Sequence, residues 1–447
     1  MTIKDHFQIT YKLAYPVVLS QLGQVMVGVA DSMMVGRLGA VPLAAASLAN
    51  SIFFVLLMFG MGISLGITPL VSMAEGKGKV KRIGRLFQHG LWINMGTALT
   101  LTCVILGLSQ GLHFLNQPEE VVELAIPYLF IITASLFPFM FFQTFKQLAE
   151  GLSQTKQAMV ITVLCNLVNV FLNWVLIFGK LGAPEMGLVG AGLATLISRI
   201  LMPIMMGWYI LGSKRYRLYH LTLGLKKLSF PMVSRILKIG IPTGFQYIFE
   251  VSAFGSAAIM MGWIGVNALA GHQVALNLAS ISYMMAGGLS TAGMIRVSNQ
   301  IGKGNFKAMR EAGMVVFAMV LVFMAITALI FVSFREFLPT LYIDDPHVIA
   351  TSASLLIIAG MFQISDGVQV AGLGVLRGME DVKFPTWITL IAYWVLGLPL
   401  GYFLAFELNM GAEGIWYGLL IGLTITAVVL FIRFHRLSQK AIQQKSI

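Results

Sequence analysis

Charged residues are scarce in this sequence. Asp, Glu, Lys and Arg make up 11% of the 447 residues, whereas soluble proteins carry about 25%. The apolar share is 57%, which is more than a soluble chain of this length can hide, because its surface needs polar residues. We therefore exclude a soluble enzyme, a nucleic-acid-binding domain and a disordered protein, and we expect lipid to surround most of the chain.

Cysteine is nearly absent as well. The two cysteines, Cys103 and Cys165, both lie in apolar runs, which excludes a disulfide framework and a paired redox motif. The seven histidines show no zinc-ligand spacing, and no serine or cysteine has a plausible base beside it. We therefore expect neither an enzyme nor a bound cofactor. The polar segment Met1–Thr10 precedes a full-length apolar run, so we expect no signal peptide.

Long apolar runs are what the sequence has instead. A run of about 20 apolar residues is long enough to cross a bilayer as a helix. The sequence predicts an all-α polytopic membrane protein with twelve transmembrane helices. The predicted spans are 14–36, 43–68, 89–110, 124–145, 158–179, 188–211, 240–262, 268–293, 312–334, 350–372, 385–406 and 414–433.

The basic residues fall on one side of these spans. Of the 30 Lys and Arg residues, 26 lie at the two termini or in the loops that follow even-numbered spans. Only Arg37, Lys180 and Arg335 lie on the other side, and Arg199 lies within the sixth span. Because short cytoplasmic loops are rich in Lys and Arg, both termini are predicted to be cytoplasmic. The net charge of +12 then reflects topology and does not indicate a nucleic-acid partner.

The chain also repeats itself at an offset of 226 residues. Lys12–Lys81 aligns without a gap to Lys238–Lys307, with about a quarter of the positions identical. The motif G-K-G recurs at 76–78 and 302–304, and we interpret both copies as turns that end a span.

A repeat of six spans has parallel topology, so the two halves are predicted to be related by a pseudo-two-fold axis along the membrane normal. The predicted division is an N-terminal six-helix lobe (1–211), a basic cytoplasmic linker (212–237) and a C-terminal six-helix lobe (238–447). Two-lobed architecture of this kind is typical of transporters that work by alternating access.

Three acidic residues lie inside predicted spans. They are Asp31 in the first span, Glu250 in the seventh and Asp366 in the tenth. A charge at the bilayer centre costs about 2.5–3.5 kcal/mol, and only Arg199 offers a basic partner within a span. None of the acids recurs at the repeat offset. They are therefore candidates for binding a proton, a metal cation or a cationic substrate, and the alternative is that they are protonated or structural hydrogen-bonding groups.

Other oxygen-bearing side chains accompany these acids. Asn169 and Asn173 share one face of the fifth span, and Thr195 adds a hydroxyl from the sixth. Such oxygens suit a hard cation such as Na⁺, although simple hydrogen bonding between helices is the alternative. The comparable C-terminal group is Gln246, Glu250, Asp366 and Gln369.

Four stretches carry a family resemblance. They are V-A-D-S-M-M-V-G at 29–36, L-N-W-V-L-I-F-G-K-L-G-A-P-E at 172–185, A-G-H-Q-V-A-L-N at 270–277 and Y-W-V-L-G-L-P-L-G-Y at 393–402. Along nearly its whole length the chain resembles the multidrug and toxic compound extrusion (MATE) family, and specifically its bacterial NorM-like branch. The resemblance implies export of amphipathic, often cationic drugs or dyes, driven by an inward gradient of Na⁺ or, alternatively, H⁺.

The resemblance also implies roles for individual residues. The C-lobe cation site falls on Glu250 and Asp366, and the N-lobe site on Asp31, Asn169, Asn173 and Thr195. The implied substrate-binding residues are Ser47, Ser51, Gln273 and Asp345. Asn173 is an aspartate in some archaeal members, and the lower negative charge at this position would weaken N-lobe cation binding.

From these observations we expect a cation-coupled multidrug efflux antiporter in the bacterial cytoplasmic (inner) membrane. It would act as a monomer surrounded by lipid, and it would not bind nucleic acid. The alternatives are an exporter of a dedicated metabolite or lipid-linked precursor on the same fold, or a channel or non-transporting receptor. A phosphorylated lipid would need a cavity rich in basic residues, and a channel would need a continuous polar pore; neither pattern is present in the sequence.

Overall fold

The computed structural model describes residues 2–112, 117–224 and 228–444. These residues form helices and connecting turns without a β-strand. Twelve of the helices are long and apolar enough to cross a membrane, as predicted. In chain order they are α1 (Ile3–Gly36), α2 (Ala40–Gly76), α3 (Val80–Gln110), α4 (Glu119–Gly151), α5 (Thr155–Ile177), α6 (Gly187–Gly212), α7 (Phe230–Ile264), α8 (Val266–Gly302), α9 (Phe306–Ser333), α10 (Pro346–Gly378), α11 (Lys383–Glu407) and α12 (Gly411–Gln443).

The helices extend past the predicted spans mainly at one end. α1 begins at Ile3 instead of residue 14, and α8 ends at Gly302 instead of residue 293. The opposite ends agree to within about five residues. Backbone hydrogen bonding continues into the polar flanks, whereas hydropathy detects only the apolar part of a helix. The extended ends are the starts of odd-numbered helices and the ends of even-numbered ones, where the basic residues cluster.

Several basic residues that the sequence prediction placed outside the spans lie inside helices, and three of them are buried. Lys146, Arg296 and Arg377 are buried in α4, α8 and α10. Their assignment to loops was wrong, because each stands in the last turns of a helix that continues beyond its apolar stretch. Lys146 faces Glu150 of the same helix, with Nζ 3.9 Å from Oε1.

About half of the predicted linker, 212–237, is helical. It holds the last residue of α6, a short helix at Lys214–Arg217 and the first turns of α7, while residues 225–227 of the linker lie outside the described residues. The division into lobes at these boundaries and the two-fold axis between the lobes stay predictions.

Contacts divide the chain into two compact units. One consists of Leu19–Gly244, and the other combines Met1–Val18 with Phe245–Ile447. In the second unit, the guanidinium of Arg296 binds the start of α1. It donates from Nη1 to the carbonyl oxygen of His6 at 2.6 Å and to Oγ1 of Thr10 at 2.7 Å. The first turns of α1 therefore belong by contact to the unit formed by the C-terminal half.

Both copies of the G-K-G motif form the turns that the sequence predicted. Gly78 and Gly304 have φ angles of 65° and 70° and directly follow the ends of α2 and α8. This left-handed conformation strains any residue with a Cβ atom, so glycine is favoured at a helix C-terminus of this kind.

A close helix approach joins α11 and α12. Gly418 of α12 lies against the backbone of Gly401 and the carbonyl oxygen of Gly397 in α11, and no space remains there for a side chain. In a membrane, helices without side chains at their contact can approach closely and gain packing and hydrogen bonds between backbones. This contact fixes the position of α11, which carries part of the site described below.

We predict that Gly418→Leu destabilises the protein by about 1–3 kcal/mol, because the new side chain must push the two helices apart. The measurement is the unfolding temperature of the purified protein in detergent. Gly255→Ala in α7 is the matched control, since a Cβ atom there meets open space and alanine favours a helix. An equal effect of both substitutions would contradict the close packing.

Candidate functional site

Glu250 of α7 is surrounded by hydrogen-bond donors. Its Oε1 accepts from Nε2 of Gln246 at 3.3 Å and from Nε2 of Gln369 at 2.9 Å. Its Oε2 accepts from the hydroxyl of Tyr283 at 3.4 Å. The side chain is buried, with 6% of its surface exposed. Among the described residues, three donors thus surround one carboxyl group, and a carboxylate can accept a hydrogen bond from each of them.

Asp366 of α10 lacks such hydrogen-bond donors among the described residues. It is 4% exposed, and the part of the chain that the structure describes gives its carboxyl group no hydrogen-bond donor. Glu250 lies close enough to repel its ionised form. A buried carboxylate without a donor, beside a second carboxylate, is unfavourable unless a proton or a cation neutralises it. The structure therefore brings together the two predicted C-lobe acids in an environment that attracts cations.

Tyr393 completes the support of Glu250 from a fourth helix. Its hydroxyl donates to Oε1 of Gln369 at 3.2 Å, which turns the amide nitrogen of Gln369 toward Glu250. Tyr393 lies in a π-helical turn, Ile391–Gly397, and such turns are frequent at functional sites. The indole nitrogen of Trp394, in the same turn, donates to the carbonyl oxygen of Phe249 at 3.1 Å. Packing of this turn therefore positions the amide that binds Glu250.

A buried arginine also faces this group, which the sequence prediction did not anticipate. Nη2 of Arg377 lies 3.5 Å from Oε1 of Gln246, and the guanidinium attracts the carboxylate of Glu250. The prediction that Arg199 is the only basic residue available to the acids was wrong, because Arg377 had been placed in a loop. Gln246 and Gln369 were recognised from the sequence. Tyr283, Tyr393 and Arg377 were missed, and the only signal was that Tyr393 begins one of the family-like stretches.

The four predicted N-lobe residues also lie in one cluster joined by hydrogen bonds. The amide of Asn173 in α5 donates to the carboxylate of Asp31 in α1 and to Oδ1 of Asn169 at 3.1 Å. The amide of Asn169 in turn lies 3.5 Å from Oγ1 of Thr195 and 3.4 Å from Oγ of Ser198 in α6. Oδ1 of Asn173 is buried and has no hydrogen-bond partner in the described chain, so it is an oxygen that a cation could bind.

Arg199 lies inside this N-terminal unit and does not extend toward a headgroup. Its Nη1 donates to Oγ of Ser135 at 2.7 Å, and its guanidinium lies 5.1 Å and 5.0 Å from the ring centres of Phe53 and Phe139. Such cation–π contacts stabilise a partly buried arginine. The guanidinium also attracts Asp31. The N-lobe acid thus has a hydrogen-bonded amide and a nearby positive charge, whereas in the C-lobe the guanidinium of Arg377 attracts Glu250.

The four predicted substrate residues are all exposed. The hydroxyls of Ser47 and Ser51 donate to carbonyl oxygens of α2, those of Leu43 and Ser47, at 2.8 Å each. Gln273 is on α8, and Asp345 is the N-cap of α10. The carboxylate of Asp345 accepts from the backbone amides of His347 at 2.8 Å and Val348 at 3.4 Å. Asp345 therefore has a structural role that the sequence did not predict.

Twelve membrane-length helices and two buried polar clusters, one with Asp31 and one with Glu250 and Asp366, define a multi-pass membrane protein with candidate cation sites. The MatE family model matches the chain twice, at residues 16–175 and 242–403, and the two matches begin at the offset of the internal repeat. The chain is 34% identical over 433 residues to the multidrug resistance protein MdtK of Yersinia pseudotuberculosis, with 96% of this chain and 95% of that protein covered. The MdtK of Yersinia enterocolitica is 35% identical with the same coverage.

The chain therefore belongs to the MatE family, whose members are transporters and not enzymes. The fold is also that of solved MATE structures. A crystal structure of the eukaryotic MATE transporter AtDTX14 superposes with a TM-score of 0.88 at 21% identity, covering 99% of both chains. A crystal structure of MATE in the bent conformation gives 0.91 at 20% identity, covering 99% of this chain and 98% of that one.

We predict that Glu250→Gln raises the stability of the cation-free protein by about 1–3 kcal/mol, because it removes the repulsion between two buried carboxylates. The unfolding temperature in sodium-free, mildly alkaline buffer measures this effect. Glu407→Gln, at an exposed acid at the end of α11, is the control and should leave the temperature unchanged. A lower unfolding temperature for Glu250→Gln would contradict the prediction, because it would show that the interactions of the Glu250 carboxylate with its donors outweigh its repulsion of Asp366.

Proposed function

We propose that this protein is a multidrug efflux antiporter that exports amphipathic, often cationic compounds in exchange for an inward-moving cation. The observation that carries the proposal is the pair of buried acids, Glu250 and Asp366, of which Asp366 lacks a hydrogen-bond donor among the described residues. The similarity to proteins named multidrug resistance proteins, at 34% identity over 96% of the chain, supports the substrate class.

The proposed mechanism is alternating access with competition for negative charge. A cation entering from outside binds at Glu250 and Asp366 and neutralises the charge that would otherwise retain a cationic drug. The drug then leaves outward, and the cation is released inward. Each positive charge that moves inward gains about 2.3 kcal/mol per 100 mV of membrane potential, and the chemical gradient adds to this.

Na⁺ is the proposed coupling ion. The carboxylates of Glu250 and Asp366 and the hydroxyl of Tyr283 are oxygen ligands of the kind that hard cations prefer. We propose the C-lobe site as the dominant one, because Asp31 in the other unit is attracted by Arg199 and bonded by Asn173. Each cluster is complete within one chain, so the mechanism needs only a monomer. The distribution of Lys and Arg supports a bacterial inner-membrane topology with both termini cytoplasmic.

Drug efflux from proteoliposomes tests this proposal. With ethidium as the drug, an imposed Na⁺ gradient should drive efflux, while a pH gradient imposed alone should drive it less. Glu250→Gln and Asp366→Asn should each reduce coupled efflux by about a hundredfold, because a neutral side chain binds a cation far more weakly. Glu407→Gln should behave like the wild type. Coupled efflux that survives both substitutions would refute the C-lobe site, and efflux driven only by the pH gradient would identify H⁺ as the coupling ion.

Asp31→Asn in the same assay compares the two clusters. Since Arg199 and Asn173 already compensate the charge of Asp31, we expect this substitution to slow efflux less than tenfold. A loss as large as that of Glu250→Gln would make the N-lobe site an equal partner.

Asp345 can be tested for drug contact separately from its capping role. Asp345→Asn keeps the N-cap hydrogen bonds, because asparagine caps a helix about as well as aspartate, but it removes the charge. If Asp345 attracts a cationic drug, the half-saturating ethidium concentration should rise about threefold or more, while the unfolding temperature and the transport of an uncharged drug stay constant. Unchanged ethidium transport would leave Asp345 with its capping role alone.

A further inference from the structure

Arg377 is a basic residue that is buried at the end of a membrane helix. It is the penultimate residue of α10 and is 7% exposed. Its Nε is buried without a hydrogen-bond partner. Among the described residues no carboxylate lies within 4 Å of its guanidinium, so no ion pair neutralises it locally. Near this end of α10, Arg433 has such a partner, since its Nε lies 2.5 Å from Oδ2 of Asp381.

One amide joins Arg377 to the candidate cation site. Gln246 accepts from Arg377 through Oε1 and donates to Glu250 through Nε2. This orientation is fixed by chemistry, because a guanidinium can only donate and a carboxylate can only accept. The two hydrogen bonds of 3.5 Å and 3.3 Å, with an amide between them, place Nη2 of Arg377 within about 9 Å of the Glu250 carboxylate.

The charges around the site can be counted. Among the described residues, the guanidinium of Arg377 attracts the carboxylate of Glu250, and Glu250 repels that of Asp366. Two carboxylates and one guanidinium leave a net charge of −1, which a single monovalent cation neutralises. Without Arg377 the same site would carry −2 and would hold a cation more tightly.

The repeat gives an internal comparison. At an offset of 227 residues, Arg377 corresponds to Glu150 of α4, which is buried beside Lys146 with its charge opposed at 3.9 Å. The corresponding position in the N-terminal half therefore holds an acid with its own partner one turn away. Among the described residues, a positive charge without a carboxylate within 4 Å at this position is specific to the half that contains Glu250 and Asp366.

We propose that Arg377 is a fixed internal counter-cation of the Glu250–Asp366 site, which weakens the binding of the transported cation and so speeds its release. Arg377 acts through the field of its charge and through Gln246, so it is a positioning residue and does not bind the cation. This inference rests on the proposed cation coupling at Glu250 and Asp366.

The sign of the expected effect separates this role from a structural one. Two positive charges about 10 Å apart, at an effective dielectric constant of about 20, repel each other enough to change an affinity about tenfold. Removing Arg377 should therefore tighten cation binding. Damage to the packing of α10 would instead displace the side chains that bind the cation, and cation binding would become weaker.

The experiment is efflux of ethidium from proteoliposomes containing the full chain, with the Na⁺ and pH gradients titrated separately. For whichever cation drives efflux, Arg377→Gln should lower the half-saturating concentration about tenfold and lower the maximal rate, because release becomes slow. Arg377→Lys restores the charge and should return both quantities toward wild type. Arg433→Gln removes a paired arginine of the same unit and should change neither. Equilibrium binding of radioactive Na⁺ to the purified protein gives the same comparison without transport.

An unchanged or higher half-saturating concentration in Arg377→Gln would overturn the proposal, as would an Arg377→Lys variant that behaves like Arg377→Gln. These results would leave the proposed function intact, provided that Glu250→Gln and Asp366→Asn abolish coupling. Wild-type efflux that responds to neither gradient, or that survives both of those substitutions, would instead refute the cation site itself and the role of Arg377 with it.

Discussion

The repulsion between two buried carboxylates is the constraint on which the rest of the C-terminal unit depends. Glu250 and Asp366 lie on different helices, α7 and α10, and both are nearly inaccessible to water. Burial makes each charge costly, and the second charge makes the first one costlier. A fold that holds both acids in place must offset this cost through the surrounding helices, because lipid offers no solvation.

The surrounding helices offset the cost of burial for Glu250 but less for Asp366. α7, α8 and α10 each direct a donor at Glu250, and α11 orients the donor from α10 through Tyr393. Asp366 receives none of these donors within the described chain. The protein thus surrounds one acid with hydrogen-bond donors, while the charge of the other can be neutralised by a cation or a proton. Such incomplete compensation is destabilising to the fold, and the proposed binding and release of a cation would explain why it is present.

The two halves of the repeat show how one scaffold can carry two different sites. The turns at Gly78 and Gly304 are the same in both copies, because the backbone geometry of a helix end constrains them. The polar residues differ. Asp31 has an amide from Asn173 and a positive charge from Arg199 near it, so its charge is compensated within its own unit. Divergence of a few buried polar residues is sufficient for this difference, since apolar packing carries most of the fold.

Much of this could be predicted from the sequence, and the limits have a common cause. Twelve spans follow from hydropathy because a membrane helix must be apolar over its whole crossing. Asp31, Glu250 and Asp366 are recognisable for the same reason, since an acid within a span is rare. The tyrosines Tyr283 and Tyr393 could not be recognised, because their rings count as apolar while their hydroxyls form the network.

Arg377 was missed for a more specific reason. Hydropathy marks where a helix stops being apolar, and α10 continues for six residues beyond the predicted end at 372. Within those turns a basic residue can face either the cytoplasm or the protein interior, and only the tertiary packing of α7 against it decides between them. The charge balance of a transport site in a membrane thus depends on the helix ends, where a residue is close enough to the site to act on it. Apolar runs define the middle of each helix and leave these ends undetermined, so counting acids within the spans gives an upper bound on the negative charge of the site.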